Sequence, residues 1–394
     1  MAYFLKNLSL LSGSPIVARH QKLRWRWFFL LALALILKGT LAPADGLLFE
    51  SEKAVFRAIT VVSGLEHPWA MAFLPNDEML ITERPGRLLW YENGKLHQIT
   101  GLPEITAVRQ GGLLDVVLHP NFFINQTICL SYSASDNGGI GIEIACAQLE
   151  RGYLSNLRVI FRADPKSRGG AHFGSRLLFG PDGYLYATLG ERGVRAQAQN
   201  LGTHLGSIIR ITEEGLVPPD NPFVGQENTQ PEIFTYGNRN PQGMVLEPSG
   251  RIWMHEHGPR GGDELNIVLS GSNYGWPVIS FGKEYWGPVP VGESTHKSGM
   301  QQPVYYWDPS IAPSGMTFYR GEVFPSWKGN LFIGSLKFKL LVRLELEGDR
   351  VVAEERILKN VFGRIRDVRE GPNGQLYLLT DEKDGKLIRL EAVD

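Results

Sequence analysis

His172 lies in the stretch AHFGS, among the small residues Ala171, Gly174 and Ser175 and shortly before an apolar run. An imidazole near its ordinary pKa of about 6.5 can take a proton at neutral pH. Gln110 in RQGG precedes an apolar run in the same way, as do Arg239, Asn240 and Gln242 in GNRNPQG. Arg364 and Arg366 in GRIRD do so again, and Lys337 closes the short motif SLK. Glu191 and Arg192 in GERG, and Asp381 in LTDE, follow apolar runs instead. Arg239, Lys337, Arg364 and Arg366, gathered in one place, would hold a ligand with several carboxylates, because guanidinium forks match carboxylates in bidentate fashion. The oxygen-rich segment HGPRGGDELN, which contains Gly258, Pro259 and Glu264, offers carbonyls and a carboxylate to Ca²⁺. It reads equally as a turn with an exposed carboxylate. These types would allow proton removal beside a bound polyanion; one by one they read equally as surface arginines, an Asn-Pro turn and a hydrogen-bonded histidine plug.

Residues spread from 110 to 381 can act together only if the fold gathers them. A turn motif recurs at Pro75, Pro120, Pro181, Pro248, Pro325 and Pro372, with gaps of 45, 61, 67, 77 and 47 residues. Each copy joins an apolar strand to a second apolar or aromatic strand. The shortest gaps match one four-stranded blade, and the longer ones a blade with an insertion. The chain is therefore expected to be all-β, a six-bladed β-propeller of four-stranded antiparallel blades. The last repeat supplies three strands, IRDVRE, QLYLLTD and KLIRLEA, and FRAITVVS near residue 60 can supply the fourth. N- and C-terminal strands then share one blade, which closes the ring and leaves no open sheet edge. In each blade the proline turn joins the innermost strand to the second. The loop entering the first and the loop leaving the second therefore share the opposite face. Every residue named above sits in one of those loops, so the repeat brings them to one channel mouth, the default place for a binding site.

The bulk properties exclude several functions. With 40 basic and 41 acidic residues in 394, the formal net charge is −1, which makes no electrostatic case for a nucleic-acid partner. No glycine-rich phosphate loop runs from a strand into a helix, and no His/Cys cluster has zinc spacing. Residues 1–44 read as a signal peptide: Arg19, Lys22, Arg24 and Arg26, an apolar run from Trp27 to Leu37, then Ala42-Pro43-Ala44. Left uncleaved, the segment would be an anchor. The body, 45–394, is expected to be exported and periplasmic, attached to the inner membrane only through that segment. The two cysteines, Cys129 and Cys146, flank Asn137-Gly138, a favoured two-residue hairpin turn. That turn sets them opposite each other on a non-hydrogen-bonded rung, where Cα atoms are closest, so a cross-strand disulfide or, failing that, a pair of adjacent thiols is expected.

From about Leu65 to Leu390 the sequence resembles the soluble PQQ-dependent aldose sugar dehydrogenases of the glucose/sorbosone dehydrogenase family. The motifs that carry this are RQGGLLDVVLHPNF, GPDGYLYATLGERG, GNRNPQGM, HEHGPRGGDELN, NYGWP, SLK and RIRDVREGPNGQLYLLTDE. The resemblance implies a catalytic base at His172 and substrate contacts at Gln110 and Tyr285. It implies contacts to the quinone cofactor at Arg239, Asn240, Ser335, Leu336, Lys337, Arg364, Ile365 and Arg366. It implies Ca²⁺ ligation by Gly258 and Pro259, and a further Ca²⁺ site at Glu264 and Tyr274. The partners implied are a sugar and a soluble or membrane electron acceptor, with the protein a monomer or homodimer. VYYWDPSIAPS departs from the glucose-specific members, since Trp307 is one residue out of phase, and is closer to the compact aldose branch. Two other readings fit a propeller. A Ca²⁺-dependent hydrolase of lactonase type would place Glu, Asp and Asn around its metal and would not need the cation cluster. A non-catalytic ligand- or protein-binding propeller would not need His172.

Overall fold

The computed structural model describes residues 46–393; the segment read as an export signal lies outside the described residues. Six antiparallel sheets form the body, five of four strands and one of five. The innermost strands are Pro68–Phe73, Leu113–Leu118, Gly174–Phe179, Pro241–Leu246, Pro313–Phe318 and Ile365–Glu370, one in each of blades 1 to 6. Every proline of the sequence repeat falls between an innermost strand and the next strand of its blade.

The ring closes as expected. Val55–Leu65 pairs with Gly385–Ala392, Phe56 opposite Ala392 and Leu65 opposite Gly385. A fifth strand, Leu47–Glu50, caps the outer edge of this blade. Its four residues, mostly exposed, are too few to show an alternation in sequence.

Hydroxyls on second strands tie blade to blade. Thr82 Oγ1 donates to Leu114 O at 2.5 Å, Ser131 Oγ to Ser175 O at 2.7 Å, and Thr188 Oγ1 to Pro241 O at 3.0 Å. Each bond leaves one blade and ends on a buried carbonyl of the innermost strand of the next.

A register shift interrupts the pairing of the innermost strand in all six blades, at its mouth-side end. In a regular strand, neighbouring side chains point to opposite faces; a bulge breaks that rule and re-aims them. In blade 6, Arg366 turns to the cavity while adjacent Asp367 joins a buried ion network. That network fills the channel below the cavity. Arg176 Nη1 lies 3.2 Å from Asp115 and 3.1 Å from Asp367, and Arg369 bridges the same two carboxylates at 3.3 and 3.0 Å. Gly315 stands beside it because any Cβ there would meet Asp367 Oδ1 at 2.0 Å.

Asn137-Gly138 is the hairpin turn, and Cys129 faces Cys146 across it with Cα atoms 4.1 Å apart, joined in a disulfide. The bridge spans 17 residues, a loop whose closure contributes about 3 kcal/mol. Cys129→Ala/Cys146→Ala should lose about that much in denaturant unfolding, and thiol titration of the unfolded wild type should find no free thiol before reduction.

Candidate active site

A cavity of 340 Å³ opens at the channel mouth. Its floor comes from the second position of the innermost strands: Trp69, Leu114, Gln242 and Arg366. Its walls come from the loops, including Arg84, Arg109, Gln110, Asn240, Leu336 and Arg364. Four guanidinium groups thus line a space with one carboxylate, Asp381. Asp381 accepts from Arg366 Nη2 at 2.7 Å and from Arg364 Nη2 at 3.4 Å. Burial alone would raise its pKa, but Arg366, His67 and Arg364 outweigh that and hold it far below the usual carboxylate range. Arg84 goes the other way: burial, together with Arg366 and Arg364, disfavours its charge. The cavity therefore holds more positive charge than its own acid neutralises.

His172 stands at the edge of this cavity, between Gln110 and Phe173, which line it. Its backbone has φ 53°, an uncommon conformation for a non-glycine residue and one that surrounding contacts must hold. They do. Gln110 Oε1 accepts from His172 N at 2.7 Å, and Arg192 donates to the carbonyls of Gly169 and Ala171 just before it. Gly190 is small because a Cβ would meet His172 O at 2.1 Å. The imidazole Nδ1 lies 3.0 Å from Glu191 Oε2, within ion-pair reach though off the line of a straight hydrogen bond. Glu191 is almost fully buried, and its carboxylate also accepts from Gly193 N. A carboxylate on one ring nitrogen leaves the other, Nε2, to accept a proton.

Asn240 is buried, and its Oδ1 accepts from Gly174 N at 3.1 Å, so it fixes the strand that follows His172. Arg239 lies in an adjacent small pocket with Glu256, His257, Gly258, Glu264 and Tyr274. Its Nη1 donates to His257 O at 3.1 Å and its Nη2 to Tyr285 Oη at 3.3 Å. Tyr285 itself is largely exposed, on the rim. Leu336 reaches the main cavity, but its neighbours do not line it. Ser335 is buried with its hydroxyl given to Ile311 O at 2.7 Å, Ile365 is buried in the core, and exposed Lys337 sets its ammonium over Phe338. Trp69, Arg84, Arg109 and His257 line the cavity without having been expected from sequence.

The adjacent pocket has the donors for a cation. Glu256 and Glu264 are directly opposite across a strand pair, where like charges repel. Burial pushes Glu256 up to about 7 and, with Glu256 beside it, raises Glu264 well above the ordinary value. No described N–H donates to the carbonyl oxygens of Gly258 or Pro259. Tyr274 gives its hydroxyl to Ile267 O at 2.5 Å, so only its main chain is free for a metal. Among the described residues no group of three or more His, Cys, Asp and Glu side chains could hold a metal. The donor set is carbonyls plus carboxylates, which suits Ca²⁺ and not zinc.

Residues 65–389 match the glucose/sorbosone dehydrogenase family. Aldose sugar dehydrogenase YliI of Escherichia coli is 46% identical over 334 residues, covering 83% of this chain and 90% of that protein. The apo crystal structure of the soluble aldose sugar dehydrogenase from Escherichia coli superposes with a TM-score of 0.83 at 44% identity, covering 86% of this chain and all of that one. The PQQ-bound aldose sugar dehydrogenase of Streptomyces coelicolor superposes at 0.71 and 27% identity, covering 89% and 99%. With its six blades, its mouth-side cavity and these matches, the chain belongs to the glucose/sorbosone dehydrogenase family of oxidoreductases.

Proposed function

We propose that the protein oxidises the anomeric hydroxyl of aldoses to lactones, with PQQ as hydride acceptor and Ca²⁺ beside it. The observation that carries this reading is the His172–Glu191 pair at the edge of a cavity lined by arginines. PQQ bears three carboxylates, which the surplus positive charge of that cavity suits. When bound, PQQ would supply a hydride acceptor and Ca²⁺ Lewis-acid assistance to it.

The chain's own residues do the rest. His172 Nε2 accepts the proton of the anomeric hydroxyl, and Glu191 stabilises the imidazolium that forms. Gln110 and Arg192 keep the histidine loop in its unusual backbone conformation, and Gln110 flanks the sugar. Arg364 and Arg366 hold cofactor carboxylates, their geometry set by Asp381. Arg239 and Asn240 border the cofactor, with Lys337 and Tyr285 at the rim. Gly258 and Pro259 carbonyls would ligate the Ca²⁺ that serves the cofactor, and Glu264 with the Tyr274 main chain would ligate a second one. Electrons leave through a soluble or membrane acceptor in the periplasm.

The apo-protein with added PQQ and Ca²⁺ should develop a quinone absorbance that bleaches on adding an aldose. Failure to bind PQQ overturns the reading, and lactone hydrolysis without PQQ would favour a hydrolase instead. Ca²⁺ should also raise the Tm of the cofactor-free protein, because it relieves the repulsion between Glu256 and Glu264. Glu264→Gln should abolish most of that rise, and a full Ca²⁺ response in this variant would remove Glu264 from the metal site.

A further inference from the structure

Arg109 lines the cavity wall beside Gln110, whose side chain holds the backbone N–H of His172. Three features set it apart. Its φ is 54°, so a strained backbone presents it. Its side-chain stem lies on Gly170, where any Cβ would come within 2.6 Å of Arg109 Cδ, so the glycine keeps a seat for the arginine. Its guanidinium has no carboxylate within ion-pair distance among the described residues, unlike Arg364 and Arg366, which share Asp381. The backbone is held too: Arg84 Nη1 donates to Arg109 O, and Gln110 N donates to Gly170 O at 3.0 Å.

We infer that Arg109 forms an anion subsite on the substrate side of the cavity, and that the preferred substrate is an aldose with an acidic group remote from its anomeric carbon. This rests on the reading of the cavity as an aldose site. The placement argues for substrate over cofactor. Arg84, Arg364 and Arg366 act on one another around Asp381 and form one cationic wall. Arg109 leans the other way. With its anomeric hydroxyl at His172, an aldose would have its far end within reach of Arg109, which rests on Gly170 two residues before the base. A carboxylate or phosphate ester there would meet the unpaired guanidinium fork. Carboxylate and phosphate share this chemistry, and their relative affinities tell them apart.

Calorimetric titrations of glucuronate, glucose 6-phosphate and glucose into the protein, as purified and after loading with PQQ, test the subsite. At least one anionic sugar should bind about tenfold more tightly than glucose, as expected for one charge-assisted contact. Arg109→Gln should bring that ratio close to one, Arg109→Lys should retain part of it, and added salt should shrink it in the wild type. Tighter binding of glucuronate names a uronate substrate, and tighter binding of the ester names a sugar phosphate. Equal binding of all three sugars overturns the subsite. So does an Arg109→Gln variant that keeps the anion preference, and more pointedly one that loses PQQ instead. Because binding is the readout, a protein that fails to oxidise any aldose refutes the proposed reaction and still scores Arg109.

Discussion

In the proposed reaction, His172→Gln should lower kcat about a thousandfold and leave PQQ binding close to wild type. General-base removal typically costs a factor of about 10² to 10⁴. The site adds a reason to expect the middle of that range. Glu191 is buried 3.0 Å from the ring and has no Lys or Arg in ion-pair contact among the described residues. Glutamine keeps a polar group of similar reach, but it cannot hold the proton. It shares the backbone cost of a positive φ, so the loop that Gln110 and Arg192 pin should survive the change. The guanidinium groups that line the cavity are untouched, which is why cofactor affinity separates chemistry from collapse. Steady-state rates on reconstituted enzyme, with a PQQ titration of both proteins, decide it. A variant with near-normal kcat would take the base assignment away from His172. Glu191→Gln should act in the same direction and less strongly, because it only orients and stabilises the base.

Much of this molecule can be read from its sequence, for reasons that differ by region. The six blades are legible because each proline turn recurs in a chain position that only a repeated meander satisfies. The Cys129–Cys146 pairing is legible because a two-residue Asn-Gly turn fixes register. Ring closure by Val55–Leu65 follows from a blade that is one strand short. Convergence on the mouth follows from topology alone. What topology does not carry is where each side chain points. Lys337 lies in a mouth loop, yet its ammonium rests over Phe338. Ser335 and Ile365 belong to motifs that resemble cofactor contacts, yet both are buried in packing. Arg84 and Arg109 also sit in mouth loops, after Met79–Glu83 and before Leu113–Leu118, but nothing in their residue type told them apart from surface arginines. The bulges explain part of this, since one extra residue re-aims every neighbour, and no composition signal in these six strands announces it. His257 was hidden for another reason: it borders both pockets, with Nε2 2.5 Å from Pro313 O, from inside a stretch read only for its oxygens.

Arg176→Met should be the most damaging single change to stability, with a loss of about 3 to 5 kcal/mol at neutral pH. Arg176 is almost entirely buried and is the cation that lies between Asp115 and Asp367. Methionine fills much of the volume but leaves both carboxylates with Arg369 alone, whose side chain is 22% exposed and partly hydrated. The intact network already tells which way the balance leans. Burial raises Asp115 above its ordinary value despite the attraction of Arg176 and Arg369. A carboxyl whose folded pKa is raised binds more protons folded than unfolded, so its contribution to stability falls as pH rises from the unfolded value of about 4. Without Arg176 that rise is larger. The deficit of the variant should therefore be greatest at pH 7 and shrink toward pH 4, as the acid becomes neutral in the core. Asp115→Asn in the same chain should recover part of the loss, since it removes the charge left unpaired. Denaturant unfolding of the three proteins at both pH values measures this, and a deficit that does not change with pH would mean that lost packing, not stranded charge, is the cause. The site should feel the change as well. Arg176 Cζ sits 4.4 Å from the ring centroid of Trp69, and Trp69 is cavity floor. A weakened PQQ affinity in Arg176→Met, with no contact to the cofactor lost, would link the channel plug to the cavity above it.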